Sequence, residues 1–508
     1  LDIVGFGSSR VEDFSRGKEL SMDPGSFRRY GHQLVDWVAH YLEQVHKFPV
    51  LSPASPGEIR NKLPGHPPEK GEEMEQILAD FQQIILPGIT HWNHPRFFAY
   101  FPANNSGPSI LAELLTAGLG VNAMLWQTSP AATELEEVVM EWLRQMLVLP
   151  QDFRGVIQDT ASTATLCALL CARERISQFQ INREGFSAWS GSEKGALRVY
   201  ASSEAHSSVE KGARIAGFGS QNLVPVSVDS SFALDPEDLE RHILEDRQRG
   251  FTPCCIVATV GTTSSTALDP LEPVGDIAQR YGLWFHVDAA LAGSAALLPE
   301  MRWILNGIER ADSFVFNPHK WLFTNFDCSA FFCRHPQILS STFSILPEYL
   351  KTDLDRQVTN FRDWGIQLGR RFRALKLWFV LRYYGVEGLQ ARLRRHLSLA
   401  QEFRTWVEQS PFFELMAPVP LNTICFRFHP PKPWGRKMGE EELDRLNKEL
   451  LDQVNRAGKI FLTHTRLRGR YCLRLCIGQT ETRREHVEEA WKELCGAPVV
   501  RDAERGIR

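Results

Sequence analysis

A run of about 18 uninterrupted apolar residues, the minimum for a membrane-crossing helix, occurs nowhere in this chain of 508 residues. An excess of one charge is missing too. The 57 Lys and Arg against 61 Asp and Glu leave a net charge of −4, and without a basic field nucleic acid is not an expected partner. The first residues, Leu1-Asp2-Ile3-Val4-Gly5, lack a basic stretch followed by an apolar one, so no signal peptide is expected. The start at Leu instead of Met is compatible with a trimmed chain. Cysteine is sparse, with ten residues, and Cys167, Cys171, Cys254, Cys255, Cys328 and Cys333 sit inside apolar runs. That placement fits buried free thiols in a reducing, cytoplasmic compartment. Cys472 and Cys476 stand apart from any second pair, which argues against a zinc site. His91 and His94 have a ligand-like spacing, but Pro95 and the aromatic neighbours fit a packed turn better, and no metal is expected. Gly217-Phe218-Gly219 lacks the third glycine of a dinucleotide fingerprint. No internal repeat or low-complexity tract is evident.

What the chain does contain is the composition of a globular protein, 43% apolar and 23% charged, at a length that implies two or three domains. Asp23-Pro24 is a helix start, an N-cap carboxylate followed by proline at the first helical position. Phe27, Tyr30, Leu34, Trp37, Val38, Tyr41 and Leu42 then recur at helical spacing. From Phe48 to Pro68 the prolines at 49, 53, 56, 64, 67 and 68 predict an extended connection. A helix tethered by such an arm needs another surface, and a partner subunit is the expected one. Thr133-x-x-Glu136 reads as a capping box opening a helix that stops at Pro150.

Cys255 to Val260, Leu283 to Val287 and Ser313 to Phe316 are short apolar runs suited to buried parallel strands joined by helical crossovers. Thr262, Thr263, Asp288 and Asn317 to Lys320 fall just beyond their carboxyl ends, the edge at which open α/β sheets bind ligands. The segment from Arg334 to Asn360 has little regular pattern and is expected to be a functional loop carrying Tyr349. Helical periodicity returns beyond Phe372, and Thr423 to Phe428 and Tyr471 to Ile477 read as strands of a smaller α+β domain.

Two stretches carry chemistry together, Asn317-Pro318-His319-Lys320-Trp321 and His286-Val287-Asp288-Ala289-Ala290. A lysine amine can form a Schiff base with the aldehyde of pyridoxal phosphate (PLP), and a carboxylate can keep the pyridine nitrogen protonated so that the ring accepts electrons. Taken singly, each has a plainer reading, a surface lysine after a strand and an aspartate capping a helix. Together they point to PLP. Thr160-Ala161-Ser162 opens an apolar helix and offers hydroxyls and free N–H groups for a phosphate. Alone, it would be an ordinary N-cap. Thr262, Thr263 and Asn317 are further candidates for phosphate or ring contacts. His206, before another helix, is placed to stack on the ring, and the small Ala290 leaves room for its other face.

These motifs, with Ala205-His206-Ser207-Ser208, resemble the group II PLP-dependent amino-acid decarboxylases, and within them the aromatic-L-amino-acid decarboxylases. Tyr100-Phe101-Pro102, Ser129-Pro130-Ala131-Ala132-Thr133-Glu134-Leu135-Glu136, Asn325-Phe326-Asp327-Cys328-Ser329-Ala330 and Leu368-Gly369-Arg370-Arg371-Phe372-Arg373 extend the resemblance from about Asp23 to Trp491. It implies a PLP fold-type I, aspartate aminotransferase-like α/β architecture with a mostly parallel central sheet. The expected division is an N-terminal helical segment (1–105) packing on the partner subunit, a large PLP-binding domain (106–376) and a small C-terminal domain (377–508). A homodimer with each active site lined by both subunits is implied as well.

The same resemblance implies Lys320 as the Schiff-base lysine, Asp288 on the pyridine nitrogen and His206 on the ring. Thr160, Ala161, Ser162, Thr263, Ala290, Asn317 and His319 surround the cofactor. The activity implied is decarboxylation of an aromatic L-amino acid (phenylalanine, tyrosine, tryptophan or dopa) to the amine and CO₂. The Cα–carboxylate bond stands perpendicular to the ring, and Tyr349 protonates Cα afterwards. Relatives with Phe at that position look like aldehyde synthases, which oxidise the carbanion with O₂. The substrate pocket matches Trp92, Tyr100, Phe101, Pro102, Ala103, Asn122, Met124, His206 and Gly369. Its aromatic and apolar lining favours a flat side chain, and no Lys or Arg is apparent among these positions for a second substrate carboxylate. Ala103 stands where animal dopa decarboxylases have a threonine that contacts a ring hydroxyl, and Asn122 and Met124 replace an aliphatic residue and a phenylalanine. Gly369, small where some plant tyrosine decarboxylases have serine, leaves room for an indole. The rival readings are an aminotransferase, an aldehyde synthase and a non-enzymatic scaffold of the same fold.

Overall fold

Seven short strands, largely apolar, build the larger of two sheets: β1 Arg154–Gln158, β2 Leu197–Ser202, β3 Leu223–Val226, β4 Thr252–Thr259, β5 Trp284–Asp288, β6 Ser313–Phe316 and β7 Ser329–Cys333. The computed structural model describes residues 22–190, 195–345, 354, 357–431 and 438–505. The sheet order is β1-β7-β6-β5-β4-β2-β3. Neighbours from β6 to β3 pair in parallel, and β7 is antiparallel to both β1 and β6. It follows that β1 to β6 share one direction and β7 alone is reversed. Every residue of β2, β5, β6 and β7 is buried. Strands covered by helices on both faces need apolar side chains on both, which removes the period-two alternation. Two cores follow. One holds Phe285, Phe314, Phe316 and Leu377, and the other holds Trp284, Val315, Phe331 and Leu169.

A second sheet of four antiparallel strands, β8 Phe413–Leu415, β9 Thr423–Phe428, β10 Thr463–Leu467 and β11 Arg470–Cys476, has the order β10-β11-β9-β8. Helices Glu440–Arg456 and Arg484–Cys495 supply Leu450, Val454, Val487 and Leu494 to its core, against Phe426, Leu473 and Leu475. The helix Ala374–Gln409 runs between the two sheets, giving Leu377 and Val380 to the large core and Phe403 and Val407 to the small one. It is broken once, at Gly385, where φ of +63° suits a residue without Cβ. None of the ten cysteines forms a disulfide, and nine are buried, Cys495 being partly exposed. Among the described residues no helix is long and apolar enough to cross a membrane.

Asp23 caps the helix Pro24–Gln44 as expected, its carboxylate accepting the amides of Gly25 and Ser26. One side of this helix packs on its own chain, through Tyr30 Oη donating to Glu75 (2.6 Å), Tyr41 Oη beside His91 Nδ1 (2.9 Å) and Trp37 against Phe81. Phe27, Leu34 and Val35 remain exposed. Three local expectations fail. The helix read as opening at Thr133 spans Pro130–Met146 with Ser129 as N-cap, because Pro130 presets the first helical turn and Ser129 Oγ accepts the Ala132 amide. It ends before Pro150. The arm from 48 to 68 is not wholly extended, since Glu58–Lys62 makes one helical turn after a left-handed Gly57. The segment after β7 opens with a helix, Pro336–Phe343, also proline-initiated, while Tyr349 lies outside the described residues.

Candidate active site

The shared direction of β1 to β6 gathers the chemistry at one edge. Thr160 follows β1, His206 follows β2, Thr263 follows β4, Asp288 ends β5 and Lys320 follows β6. Each polar residue sits where its strand leaves the apolar core, so the chain pattern and the sheet topology place them together. The helix Ala161–Ser177 packs over β5, where buried His286 bridges Thr165 Oγ1 at 3.4 Å and Ser313 Oγ at 2.9 Å. Burial pushes the His286 imidazole down to about 4, so it is neutral and acts as a hydrogen-bonding brace for the sheet edge.

Lys320 sits in a single turn, Pro318–Trp321, with its ammonium 5.0 Å from the centroid of the Phe101 ring. Burial is the largest influence on this amine and lowers its pKa. Arg474 acts in the same direction and the Asp288 carboxylate opposes them. Asp288 is itself buried, and its Oδ1 accepts the Ala290 amide at 3.0 Å. His206 caps the helix Ser207–Ile215, its Nδ1 accepting the Ser208 amide at 3.2 Å and lying 2.8 Å from Ser208 Oγ. Its pKa is lowered, first by burial and then by Lys320, with Asp288 raising it. Lys320, Asp288 and His206 therefore form one electrostatic group.

The amides of Ala161 and Ser162 begin a helix of 17 residues, so they have no carbonyl four residues back to bond. Thr160 Oγ1 accepts the Thr163 amide. Asn317 Oδ1 accepts from Ser329 Oγ at 2.6 Å, and His319 Nδ1 accepts the Cys328 amide at 2.8 Å. Burial holds the His319 imidazole at about 3. Thr262, a candidate from the sequence, is committed to its own turn, its fully buried hydroxyl accepting the Ala267 amide.

The pocket positions fall into two groups. Trp92 stacks on Tyr100 (5.8 Å, 14°), and Phe101 lies between Tyr100 and the buried Pro102, against Lys320. Asn122, Met124 and Gly369 make a separate patch. Asn122 Oδ1 accepts the Arg370 amide (3.0 Å), its Nδ2 lies 3.7 Å from Met124 Sδ, and a Cβ on Gly369 would lie 3.8 Å from that same Nδ2. Arg370 is held in turn by buried Glu136, whose Oε1 accepts from Arg370 Nη2 at 2.6 Å and from the Ile157 amide at 2.8 Å. Among the described residues no hydrogen bond, ion pair or ring contact joins this patch to Lys320, Tyr100 or Phe101.

Arg474 is the residue that sequence reasoning missed. From β11 its guanidinium lies 4.6 Å from the Phe101 centroid. It donates to the carbonyls of Thr263 (3.0 Å), Ser264 (3.2 Å) and Tyr100 (2.7 Å), while Nη2 is buried without a side-chain or backbone acceptor. The signal was there, an arginine inside the buried run Cys472-Leu473-Arg474-Leu475-Cys476, since a charge is placed in such a strand only when it is held.

An amine coupled electrostatically to a buried carboxylate, with a helix N-terminus at the same carboxyl edge of a parallel sheet, defines the class: an enzyme site for a flat, anionic cofactor bearing an aldehyde. Burial that favours the unprotonated amine, together with a donor set suited to a phosphate, fits PLP. Residues 56–429 match the pyridoxal-dependent decarboxylase conserved domain, and the chain belongs to that family of PLP-dependent carboxy-lyases. It is 45% identical over 487 residues to phenylacetaldehyde synthase of Arabidopsis thaliana, covering 94% of this chain and 96% of that protein. It is 44% identical to tyrosine decarboxylase 4 of Petroselinum crispum, covering 93% of each. The crystal structure of Oryza sativa TDC with PLP and tryptamine superposes with a TM-score of 0.90 at 35% identity, over 96% of this chain and 99% of that one. The fold is thus that of the fold-type I PLP decarboxylases.

Proposed function

We propose that this enzyme decarboxylates an aromatic L-amino acid to the amine and CO₂. The observation that carries the proposal is the wall of Trp92, Tyr100 and Phe101 against the Lys320 amine. It offers a flat apolar side chain a matching surface, and the Arg474 guanidinium beside Phe101 is committed to the backbone carbonyls of Thr263, Ser264 and Tyr100. The tyrosine decarboxylase and the phenylacetaldehyde synthase among its relatives, and the tryptamine complex, are consistent with this substrate class.

Bound PLP supplies the electron sink that lets a Cα–carboxylate bond break. The chain's own residues do the rest. Lys320 would hold the cofactor, and burial favours the neutral form of its amine. Asp288 would be the carboxylate that keeps the ring nitrogen protonated. The amides of Ala161 and Ser162, with Thr160, Thr263, Asn317 and His319, surround the anionic and ring portions. His206 and Ala290 would contact the cofactor ring. Trp92, Tyr100, Phe101, Pro102 and Ala103 would orient the substrate side chain and exclude water. Tyr349 returns a proton to Cα.

The Asn122, Met124 and Gly369 patch enters the pocket from a second subunit in this reading. The exposed Phe27, Leu34 and Val35 of the first helix pack on that subunit, in keeping with the division into segments 1–105, 106–376 and 377–508. Ten cysteines without a disulfide fit a reducing compartment such as the cytoplasm. A second reading, aldehyde synthesis with release of peroxide and ammonia, is favoured by the 45% identical synthase, and the tyrosine at 349 weighs against it. A panel of amino acids assayed together for CO₂, amine and peroxide decides between them. Equimolar amine and CO₂ from an aromatic substrate is expected, whereas CO₂ matched by peroxide, or turnover only with glutamate, overturns the proposal.

A further inference from the structure

The turn that carries Lys320 cannot hold itself in place. Pro318–Trp321 is one helical turn closed by Lys320 N–H to Asn317 O (2.9 Å) and Leu322 N–H to Pro318 O (3.0 Å), and a single turn is the unfavourable nucleus of a helix, not a stable one. Its position is set from outside, by Asn317 N–H to Ala290 O (2.9 Å) and His319 N–H to Cys328 O (3.2 Å) and by the side chains that flank the lysine. His319 Nδ1 is bonded to the Cys328 amide on one side. On the other, the Trp321 indole Nε1–H donates to Nδ1 of His396 at 2.9 Å, with both residues fully buried.

His396 belongs to the helix Ala374–Gln409, beyond the break at Gly385, so this bond ties the lysine turn to a separate element. Burial pushes the His396 imidazole down to about 3. A neutral ring that accepts at Nδ1 carries its proton on Nε2, which fixes the tautomer. Around the same point, Asn104 Oδ1 accepts the Phe323 amide (2.9 Å), Asn104 Nδ2 donates to Gly478 O (2.8 Å) and Ser106 Oγ donates to Phe323 O (2.7 Å). The side chain of Gln479 is also buried there, its amide without a protein partner. Polar groups this deep destabilise a core unless they hold something. With an apolar residue at 396 the indole N–H would be left buried and unpaired, and the turn would have to rotate to relieve it.

We propose that His396 is a positioning residue, which by accepting the Trp321 indole N–H sets the reach and angle of the Lys320 amine. The proposal rests on the reading of Lys320 as the cofactor lysine, although the bond itself does not. His396→Leu removes the acceptor, His396→Asn restores one near Nδ1, and Trp321→Phe removes the donor. In folded holoenzyme His396→Leu should lower kcat by about 10- to 100-fold, as small misplacements of reacting groups do, with KM within about threefold. His396→Asn should recover most of the loss. Trp321→Phe should show the same fall, and the double variant should be no worse than either single one.

The readout independent of turnover is amide hydrogen exchange in the apoenzyme. Exchange at 319–323 should speed up in His396→Leu and Trp321→Phe, with strands β9 and β11 unchanged. A kcat within about twofold of wild type despite a lowered melting point, or single effects that multiply in the double variant, would overturn the proposal. If His396→Leu does not fold, Trp321→Phe carries the test, and unchanged exchange at 319–323 sinks it. Borohydride labelling of wild type at another lysine would instead remove the reading of Lys320 and leave the exchange result standing.

Discussion

Gly478→Ala should narrow the substrate pocket from behind. A Cβ at this position would lie 2.6 Å from Pro102 Cγ, 3.2 Å from Pro102 Cβ and 3.3 Å from Asn422 Nδ2. Ordinary contact begins near 3.4 Å, so roughly 1 Å of movement is needed, and which partner yields decides the outcome. The segment around Gly478 is pinned. Ile477 N–H donates to Asn422 O and Asn422 Nδ2 to Ile477 O (2.8 Å each), and Asn104 Nδ2 donates to Gly478 O at 2.8 Å. Pro102 has no N–H to anchor it and adjoins Phe101, the ring against which Lys320 lies. The strain should therefore pass into the pocket wall. Overpacking of this kind costs about 1–3 kcal/mol of stability, and a displacement of about 1 Å at a substrate-orienting wall costs on the order of 100-fold in turnover. The assay is kcat/KM for phenylalanine and tryptophan in wild type and variant, with the melting point taken alongside. Both values should fall, tryptophan more than phenylalanine because the indole needs the lost width. Equal kcat/KM for both substrates, within about twofold of wild type, would refute the argument.

Asp288→Asn should lower turnover by orders of magnitude at saturating PLP, because a charge-assisted contact is lost from the transition state. Near-normal kcat contradicts the role. Tyr349→Phe should move product from amine toward aldehyde with matching peroxide, and a variant that still forms only amine at an unchanged rate shows that another acid protonates Cα. Ala103→Thr should raise kcat/KM for dopa relative to phenylalanine by roughly fivefold, the worth of about one hydrogen bond. A strong wild-type preference for dopa, unchanged by the substitution, counts against that pocket. Glu136→Gln leaves the Arg370 cation buried without its counter-charge and should cost about 3–5 kcal/mol. Glu136→Leu with Arg370→Met should restore much of that in thermal melts, and a double variant as unstable as the single one argues that the pair's charges are not the cause.

Much of the candidate site was readable because each candidate residue lies at or just beyond the end of an apolar run. An aspartate after Trp284 to Val287 and a lysine after Ser313 to Phe316 announce a strand end, and strand ends on one edge of a parallel sheet must meet. The reversal of β7 was not readable, since Ser329–Cys333 is buried along its whole length and a two-sided burial pattern carries no direction. The Thr133 capping box matched in letters, but Ser129-Pro130 four residues earlier is the stronger start, and Glu136 was needed for Arg370. Thr262 and Thr263 are adjacent and chemically alike. Only the closing of the turn onto Ala267 decides that one hydroxyl faces inward, and that contact depends on backbone geometry the letters do not contain. Arg474 belongs to the small sheet, more than a hundred residues from Lys320 in sequence, so its arrival beneath Phe101 depends on how the two sheets dock.

Nine of the ten thiols are buried, and the burial-raised pKa values of Cys167, Cys254, Cys328 and Cys333 make them slower still to ionise. A native sample should therefore consume about one equivalent of a thiol reagent, at Cys495, and the unfolded chain ten. The molecule carries its own integrity gauge. Because Cys333 and Cys328 flank β7 while Cys425 and Cys472 lie in the small sheet, the order in which alkylated peptides accumulate under mild denaturant would report which sheet opens first, without any label being introduced.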